Sequence, residues 1–299
     1  MTDNAATVPA TAVVCTRDRT ELLEQVIGAL GAAVDAVTGA ELVIVQQGDG
    51  DTEAVCRRAG VDARVVSDAG IGASRARNIG WRAARSAVVA FTDDDCAVPA
   101  RWLVDHVEAL AEPGVVVSCG QVAGLPRHGG ASTEVWDQTA VAARRGFGAV
   151  PWDIGHSANL AVRRDALDAV GGFDERLGPG ARVPAGEDAD VLMRLLQLGD
   201  ARTGVGQPVQ HLGWRADDDD ERALIEYELG AGAWLGKLGV SHPRVAFRLL
   251  RARMRMLQAS SPWSDRHTAM THRAALARGV ARGLLLGTRH RAHDNMHLP

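Results

Sequence analysis

From Ala12 to Phe91, short apolar runs alternate with segments of helical periodicity, and this alternation restricts the fold more than any other feature of the chain. Ala12–Cys15, Glu41–Val45, Ala63–Val66 and Ala87–Phe91 read as strands. Between them, Leu22, Leu23, Val26, Ile27 and Leu30 recur at helical spacing, and Val55–Gly60 and Ser74–Ser86 read as further helices. Strands that alternate with helices call for a largely parallel sheet with helices on its faces. Ligands of such sheets bind beyond the carboxyl ends of the strands. Three strand ends are therefore expected at a site: Thr16–Arg19, Gln46–Asp49 and Thr92–Cys96, with Gln46–Gly50 read as a turn.

Further along, Val115–Ser118 is a strand candidate and Gly120–Pro151 reads as loop. Asp165–Val170 reads as a short helix and the glycine-rich stretch Gly171–Gly186 as an irregular loop. Asp188–Leu198 follows as a helix with Val191, Leu192, Leu195 and Leu196 on one face. The acidic run Asp217–Glu221 marks a boundary, so residues 1–215 are expected to form the catalytic domain and 216–299 a basic helical region. Of the 299 residues 46% are hydrophobic, which is enough for a large core. The net charge of −4 gives no global sign of a nucleic-acid partner. No apolar run is long enough to cross a bilayer. The amino terminus lacks the basic flank of a signal peptide. The four cysteines are scattered without a C-x-x-C pair and read as buried thiols, which suits a cytoplasmic protein.

Phe91-Thr92-Asp93-Asp94-Asp95-Cys96 places three carboxylates in a row at the end of an apolar strand. Crowded carboxylates repel one another unless a positive group sits nearby. Magnesium or manganese, typically held by one or two carboxylates together with substrate phosphates, would provide one; a solvated acidic turn is the other reading. Gly186-Glu187-Asp188-Ala189-Asp190 opens a helix, where acids complement the helix dipole. Asp190 and Arg194 have the spacing of a surface ion pair. The functional reading makes Glu187 or Asp188 a general base behind a mobile lid. His211, after an apolar strand, is a candidate metal ligand. Arg75 and Arg77, in a helix that follows Gly70-Ile71-Gly72, suit a diphosphate. The absence of a Gly-x-Gly-x-x-Gly after the first strand and of a Walker lysine motif disfavours dehydrogenases and P-loop enzymes. The chain has a single lysine, Lys237, so a lysine-based mechanism would have to fall there.

Taken in order, these segments resemble family 2 glycosyltransferases of the GT-A fold. Val13–Arg19 looks like the family's opening strand and nucleotide loop, Ser74–Gly80 like its Ala-Arg-Asn-x-Gly segment, and Asp93-Asp94-Asp95 like its Asp-x-Asp motif. Asn159–Arg164 and Gly171–Glu175 resemble acceptor-side segments, and Glu187-Asp188 the Glu-Asp motif. The resemblance runs from about Val13 to Arg215 and implies a Rossmann-like, mostly parallel mixed sheet flanked by helices, with a C-terminal helical extension. It also implies an inverting, metal-dependent transfer from a nucleotide diphosphate sugar of UDP or dTDP type, with Mn2+ or Mg2+ as cofactor. Asp188 is then the base, with Glu187 beside it. Asp95, Asp93 and His211 surround the metal. Thr16, Arg17, Arg19, Gln47, Asp49, Arg77, Asn78, Asp93 and Asp94 face the donor, and Asn159 and Trp214 the acceptor. One departure stands out: where the family's second strand usually ends in acids, this chain has Gln46-Gln47-Gly48-Asp49, so Asp49 becomes the candidate acid.

Residues 241–299 carry eleven arginines against Asp265 and Asp294, a net +9 that leaves −13 for the remainder. A basic helical tail of this kind can lie on an anionic membrane at its inner face, pack as a helical subdomain, or form a homodimer contact. The acceptor is unidentified: a lipid-linked glycan suits the first reading and a small natural product the others. Two further classes stay open, a sugar nucleotidyltransferase and a catalytically inactive nucleotide-sugar-binding module.

Overall fold

The computed structural model describes residues 10–124, 135–136, 142–144, 146–148, 150–212, 217–259 and 266–291. The first elements follow the sequence pattern: β1 (Ala10–Arg17), α1 (Thr20–Asp35), β2 (Glu41–Gln47), α2 (Thr52–Ala59), β3 (Arg64–Asp68), α3 (Ala73–Ala83) and β4 (Val88–Asp93). There follow β5 (Cys96–Ala97), α4 (Trp102–Leu110), β6 (Val115–Cys119), β7 (Val122–Gly124), β8 (Val135–Trp136), β9 (Ala142–Arg144), β10 (Leu160–Arg163), α5 (Arg164–Val170), α6 (Glu187–Leu195), β11 (Asp200–Thr203) and β12 (Val209–His211). Three helices close the chain: α7 (Asp217–Ser241), α8 (Pro243–Ala259) and α9 (Arg266–Arg291).

Eight strands form one sheet in the order β3-β2-β1-β4-β10-β6-β11-β9. β3, β2, β1 and β4 pair in parallel, β10 runs antiparallel between β4 and β6, and β9 opposes β11 at the edge. A second, four-stranded sheet has the order β5-β12-β7-β8. The central strands β1, β2 and β4 are apolar on both faces because both are covered. Ala12 and Val14 of β1, Ile44 of β2 and Ala90 of β4 pack with α1, α2 and α4. Val13, Val43, Val45, Val89 and Phe91 point the other way, into a core shared with α3, α5 and α6. That alternation is the two-residue period of extended chain. Helix α3 lies close enough to β1 that a Cβ at Gly80 would stand 2.3 Å from Val13 Cγ1, so a glycine is required there.

Several readings of the sequence are corrected. Gln46 and Gln47 continue β2 instead of opening a turn, because hydrogen bonds satisfy their amides there. The stretch read as loop between Gly120 and Pro151 contains β7, β8 and β9, strands of two or three residues that are too short to show a period. Likewise β5, β10 and β11 left no separate signal. Asp190, read as half of a surface pair with Arg194, is buried and accepts from Lys237 Nζ at 2.7 Å, while Arg194 donates to the carbonyls of Val170 (2.6 Å) and Gly172 (2.8 Å).

The chain packs into two compact units, residues 1–173 with 191–214, and residues 174–190 with 215–299. Within the second unit α7 and α9 pack backbone to backbone. A Cβ on Gly232 or Gly236 would stand 2.1 or 2.2 Å from a carbonyl of α9, and one on Gly279 2.2 Å from a carbonyl of α7. No described helix is long and apolar enough to cross a membrane.

Candidate active site

The three strand ends singled out in the sequence are neighbours, because β1 lies between β2 and β4 and all three run the same way. Thr16 is buried and Arg17 exposed at the end of β1. Asp18 follows in a left-handed conformation (φ 54°), and its Oδ1 accepts from the backbone N–H of Asp49 at 2.9 Å. Asp49 itself is exposed.

Arginines meet the acidic cluster. Arg19 donates to Asp94 Oδ1 at 2.8 Å and to Asp95 Oδ2, and Arg77 donates to Asp93 Oδ1 at 3.1 Å. The like-charge repulsion expected from the sequence is thus relieved in part by the protein itself. Asp94 and Asp95 are buried, whereas Asp93 keeps about a third of its side chain exposed (32%). Burial pushes the Asp94 carboxyl up to about 6 against the opposing pull of Arg19. Arg77 is buried in α3, with its guanidinium 5.7 Å from the Phe173 ring centroid.

His211 reaches the cluster through the small sheet. β12 pairs with β5 so that His211 lies opposite Cys96, and Leu212 N–H donates to Asp95 O at 2.7 Å. His211 Nε2 then stands 3.5 Å from Asp95 Oδ1. Asp95, Cys96 and His211 place one potential ligand atom each within 4.8 Å of one another. Cys96 is the poorest of the three: burial drives its thiol pKa upward, and the protonated sulfur points to Asp95 Oδ1 at 3.7 Å. Asp95 and His211 together offer oxygen and nitrogen donors suited to a hard divalent cation that takes its other ligands from phosphates and water. The residues present therefore fit Mn2+ or Mg2+.

Other residues assigned to the donor or acceptor have their polar groups engaged within the protein. Gln47 is buried; its Nε2 donates to Asp68 Oδ2 at 2.9 Å and its Oε1 accepts from Gly72 N–H at 3.1 Å. Asp68, on β3, lies opposite Gln47 in the β2–β3 register, an acid that no motif on β2 includes. Its two oxygens take Arg75 at 2.8 and 2.9 Å, and this pairing holds its carboxyl down at about 2 despite burial. The amide of Asn78 is spent on the backbone of Phe173, accepting and donating at 2.9 Å, with Trp81 Nε1 also donating to it at 3.0 Å. Asn159 Oδ1 accepts from Trp102 Nε1 (2.9 Å) and His106 Nε2 (2.8 Å), and its Nδ2 donates to Gln121 O at 2.7 Å. His106 and its partner Ser118 Oγ (2.7 Å) complete a buried polar network that no sequence motif announced. Trp214 lies outside the described residues.

In the second unit, Glu187 is buried in the first turn of α6. Asp188 Oδ1 is shielded from solvent and has no hydrogen-bond partner among the described residues. The segment that carries them is tied to α7 by Lys237, whose Nζ donates to Asp174 Oδ2 and Asp190 Oδ1, each at 2.7 Å. Arg176 also holds Asp174, donating at 2.8 Å to Oδ1 and 2.6 Å to Oδ2. Burial alone would raise the Asp174 carboxyl, but Arg176 and Lys237 hold it far below the usual range.

Residues 11–171 match the family model of glycosyl transferase family 2. Glycosyltransferase AglE of Haloferax volcanii is 29% identical over 120 residues, which cover 40% of this chain and 39% of that protein. The chain thus matches well under half the length of that relative. Among solved structures, the mannosyltransferase PcManGT from Pyrobaculum calidifontis, in complex with GDP-Man and Mn2+, superposes with a TM-score of 0.61 at 22% identity, covering 95% of this chain and 79% of its own. S. aureus TarS 1-349 in complex with UDP-GlcNAc gives 0.54 at 12% identity, covering 95% and 92%. At these identities the likeness establishes the fold, which is GT-A with additional C-terminal helices.

Proposed function

The chain belongs to glycosyl transferase family 2, and from that premise we propose an inverting, metal-dependent transfer of a hexosyl group from a nucleotide diphosphate sugar to an acceptor hydroxyl. The observation that carries this reading is the convergence of Asp95, in the turn between β4 and β5, and His211, at the end of β12, beside the strand ends where the donor of a doubly wound sheet lies. Asp95 and His211 would hold the cation. When bound, such an ion stabilises the charge of a leaving diphosphate.

The chain's own groups do the rest. Arg77 and Asp93, joined by their hydrogen bond, face the donor ribose and phosphates, with the half-exposed Arg19 available to the diphosphate once its carboxylates are otherwise engaged. At the base-binding edge, Asp68 and Gln47 replace the acid that the second strand lacks, in preference to the exposed Asp49. Asn78 fixes Phe173 and through it the Arg77 guanidinium, a positioning role in place of donor contact. Asn159 acts likewise on α4.

Asp188 takes the acceptor proton as the new C–O bond forms, and its shielded, unbonded Oδ1 leaves a lone pair for that proton. GDP-Man, bound with Mn2+ in one protein of this fold, and UDP-GlcNAc, bound in another, are the first donors to try. Replacing Asp188 with Asn is expected to lower turnover by about 10²–10⁴-fold while leaving donor affinity unchanged, measured by transfer assay beside calorimetric titration. Near-wild-type turnover in that variant would remove Asp188 as the base.

A further inference from the structure

Among the described residues, eight large hydrophobic side chains are exposed, and seven of them lie on the three C-terminal helices: Leu224, Tyr227, Phe247, Met256, Met270, Leu284 and Leu285. α8 and α9 together hold eleven arginines and not one acidic residue. On α9 the two features are ordered. Its inner face, with Gly279 and Gly283, is closed against α7. Its outer face runs from Met270 (68% exposed) to Leu285 (63% exposed) through the exposed small residues Ala274, Ala277 and Ala281. At ~100° per residue, Arg273 falls on one margin of this stripe and Arg278 and Arg282 on the other, all three exposed. α8 carries its own exposed Phe247, with the Arg251 guanidinium 5.9 Å from the ring centroid.

We propose that the outer face of α9 is a docking surface for an anionic phospholipid bilayer, on which the helix lies in the plane of the interface. An apolar stripe with cationic margins is the arrangement that buries side chains among acyl chains and leaves guanidinium groups at the headgroups. Charge selects this occupant over a second copy of the chain. Apposing two copies of α9 would bring arginine margins together with no carboxylate on either helix to receive them, whereas phosphatidylglycerol or a similar lipid supplies the missing negative charge. The short apolar stripe and the absence of a spanning helix among the described residues fit surface attachment. The proposal is independent of the transfer chemistry: donor binding and vesicle binding are read separately.

Flotation of the full chain with vesicles of phosphatidylcholine alone, and with 30 mol% phosphatidylglycerol added, tests it at ~50 and ~500 mM salt. Binding is expected only to the anionic vesicles and is expected to weaken with salt. The double variant R273Q/R278Q is expected to lower the partition coefficient roughly thirtyfold. M270N/L285N is expected to weaken binding while circular dichroism and donor affinity stay at wild-type values. The proposal is overturned by a folded wild-type chain that ignores anionic vesicles, or by either variant binding as well as wild type. It is also overturned if sedimentation shows a wild-type dimer that M270N/L285N dissociates, because the face would then belong to a second copy.

Discussion

At the scale of single residues, the polar groups near the strand ends divide into those that are free to meet a ligand and those that hold the frame. His106 belongs to the second kind. It is fully buried, its Nε2 faces Asn159 Oδ1 and its Nδ1 faces Ser118 Oγ, so the neutral ring satisfies both partners. Burial lowers its pKa from 6.5 to about 4, against a smaller raising effect of Asn159. The unfolded chain binds a proton at this ring below about pH 6.5 and the folded chain only near pH 4. The stabilisation is therefore complete above pH 6.5 and lost as the pH falls through that window, to the extent of roughly 3 kcal/mol. Urea titrations between pH 7 and pH 4 are expected to show this slope in wild type and a shallower one in His106→Gln. An unchanged slope would place the acid sensitivity elsewhere. The sequence offered no hint of this, since a lone histidine inside a helix carries no signature of what faces it.

Among the elements, the segment from Asp174 to Asp190 is the clearest case of a loop whose geometry depends on a distant helix. Lys237 on α7 joins its first residue to the first turn of α6, two residues beyond Asp188. The lysine and both carboxylates are nearly buried, with side-chain exposures of 12%, 7% and 5%. Removing one member of such a cluster leaves unpaired charge inside the protein, which typically costs about 3–5 kcal/mol. Lys237→Met is expected to lower stability by that order in denaturant titration. At temperatures where the variant stays folded, kcat should fall further than donor affinity, because the residues assigned to the donor belong to the other unit. Equal losses in both would argue against a role confined to positioning Asp188. The glycine-rich character of this stretch was visible in the sequence. Its anchor was not, because a single lysine far along the chain gives no sign of which acids it will reach.

For the molecule as a whole, the proposed reaction would have the strand-end cluster take up cation and donor together. A donor at ~100 times its Kd is expected to stabilise the folded chain by about 2.7 kcal/mol in the presence of manganese. Asp95→Asn should abolish the manganese-dependent part of the thermal shift. A full shift in Asp95→Asn would remove that carboxylate from the cation's shell. Sequence alone determined the doubly wound half of the fold, because strands buried on both faces and helices buried on one write their periods directly into the order of apolar residues. It also placed the acidic cluster at a strand end, since Asp93-Asp94-Asp95 interrupts a run that is otherwise apolar. Tertiary structure alone decided that Arg19 and Arg77 answer those carboxylates, that His211 arrives through β12, and that Asp68 stands beside Gln47. Each of these is a pairing between residues far apart in the chain, fixed by strand register and helix packing, and such pairings leave no local period to read.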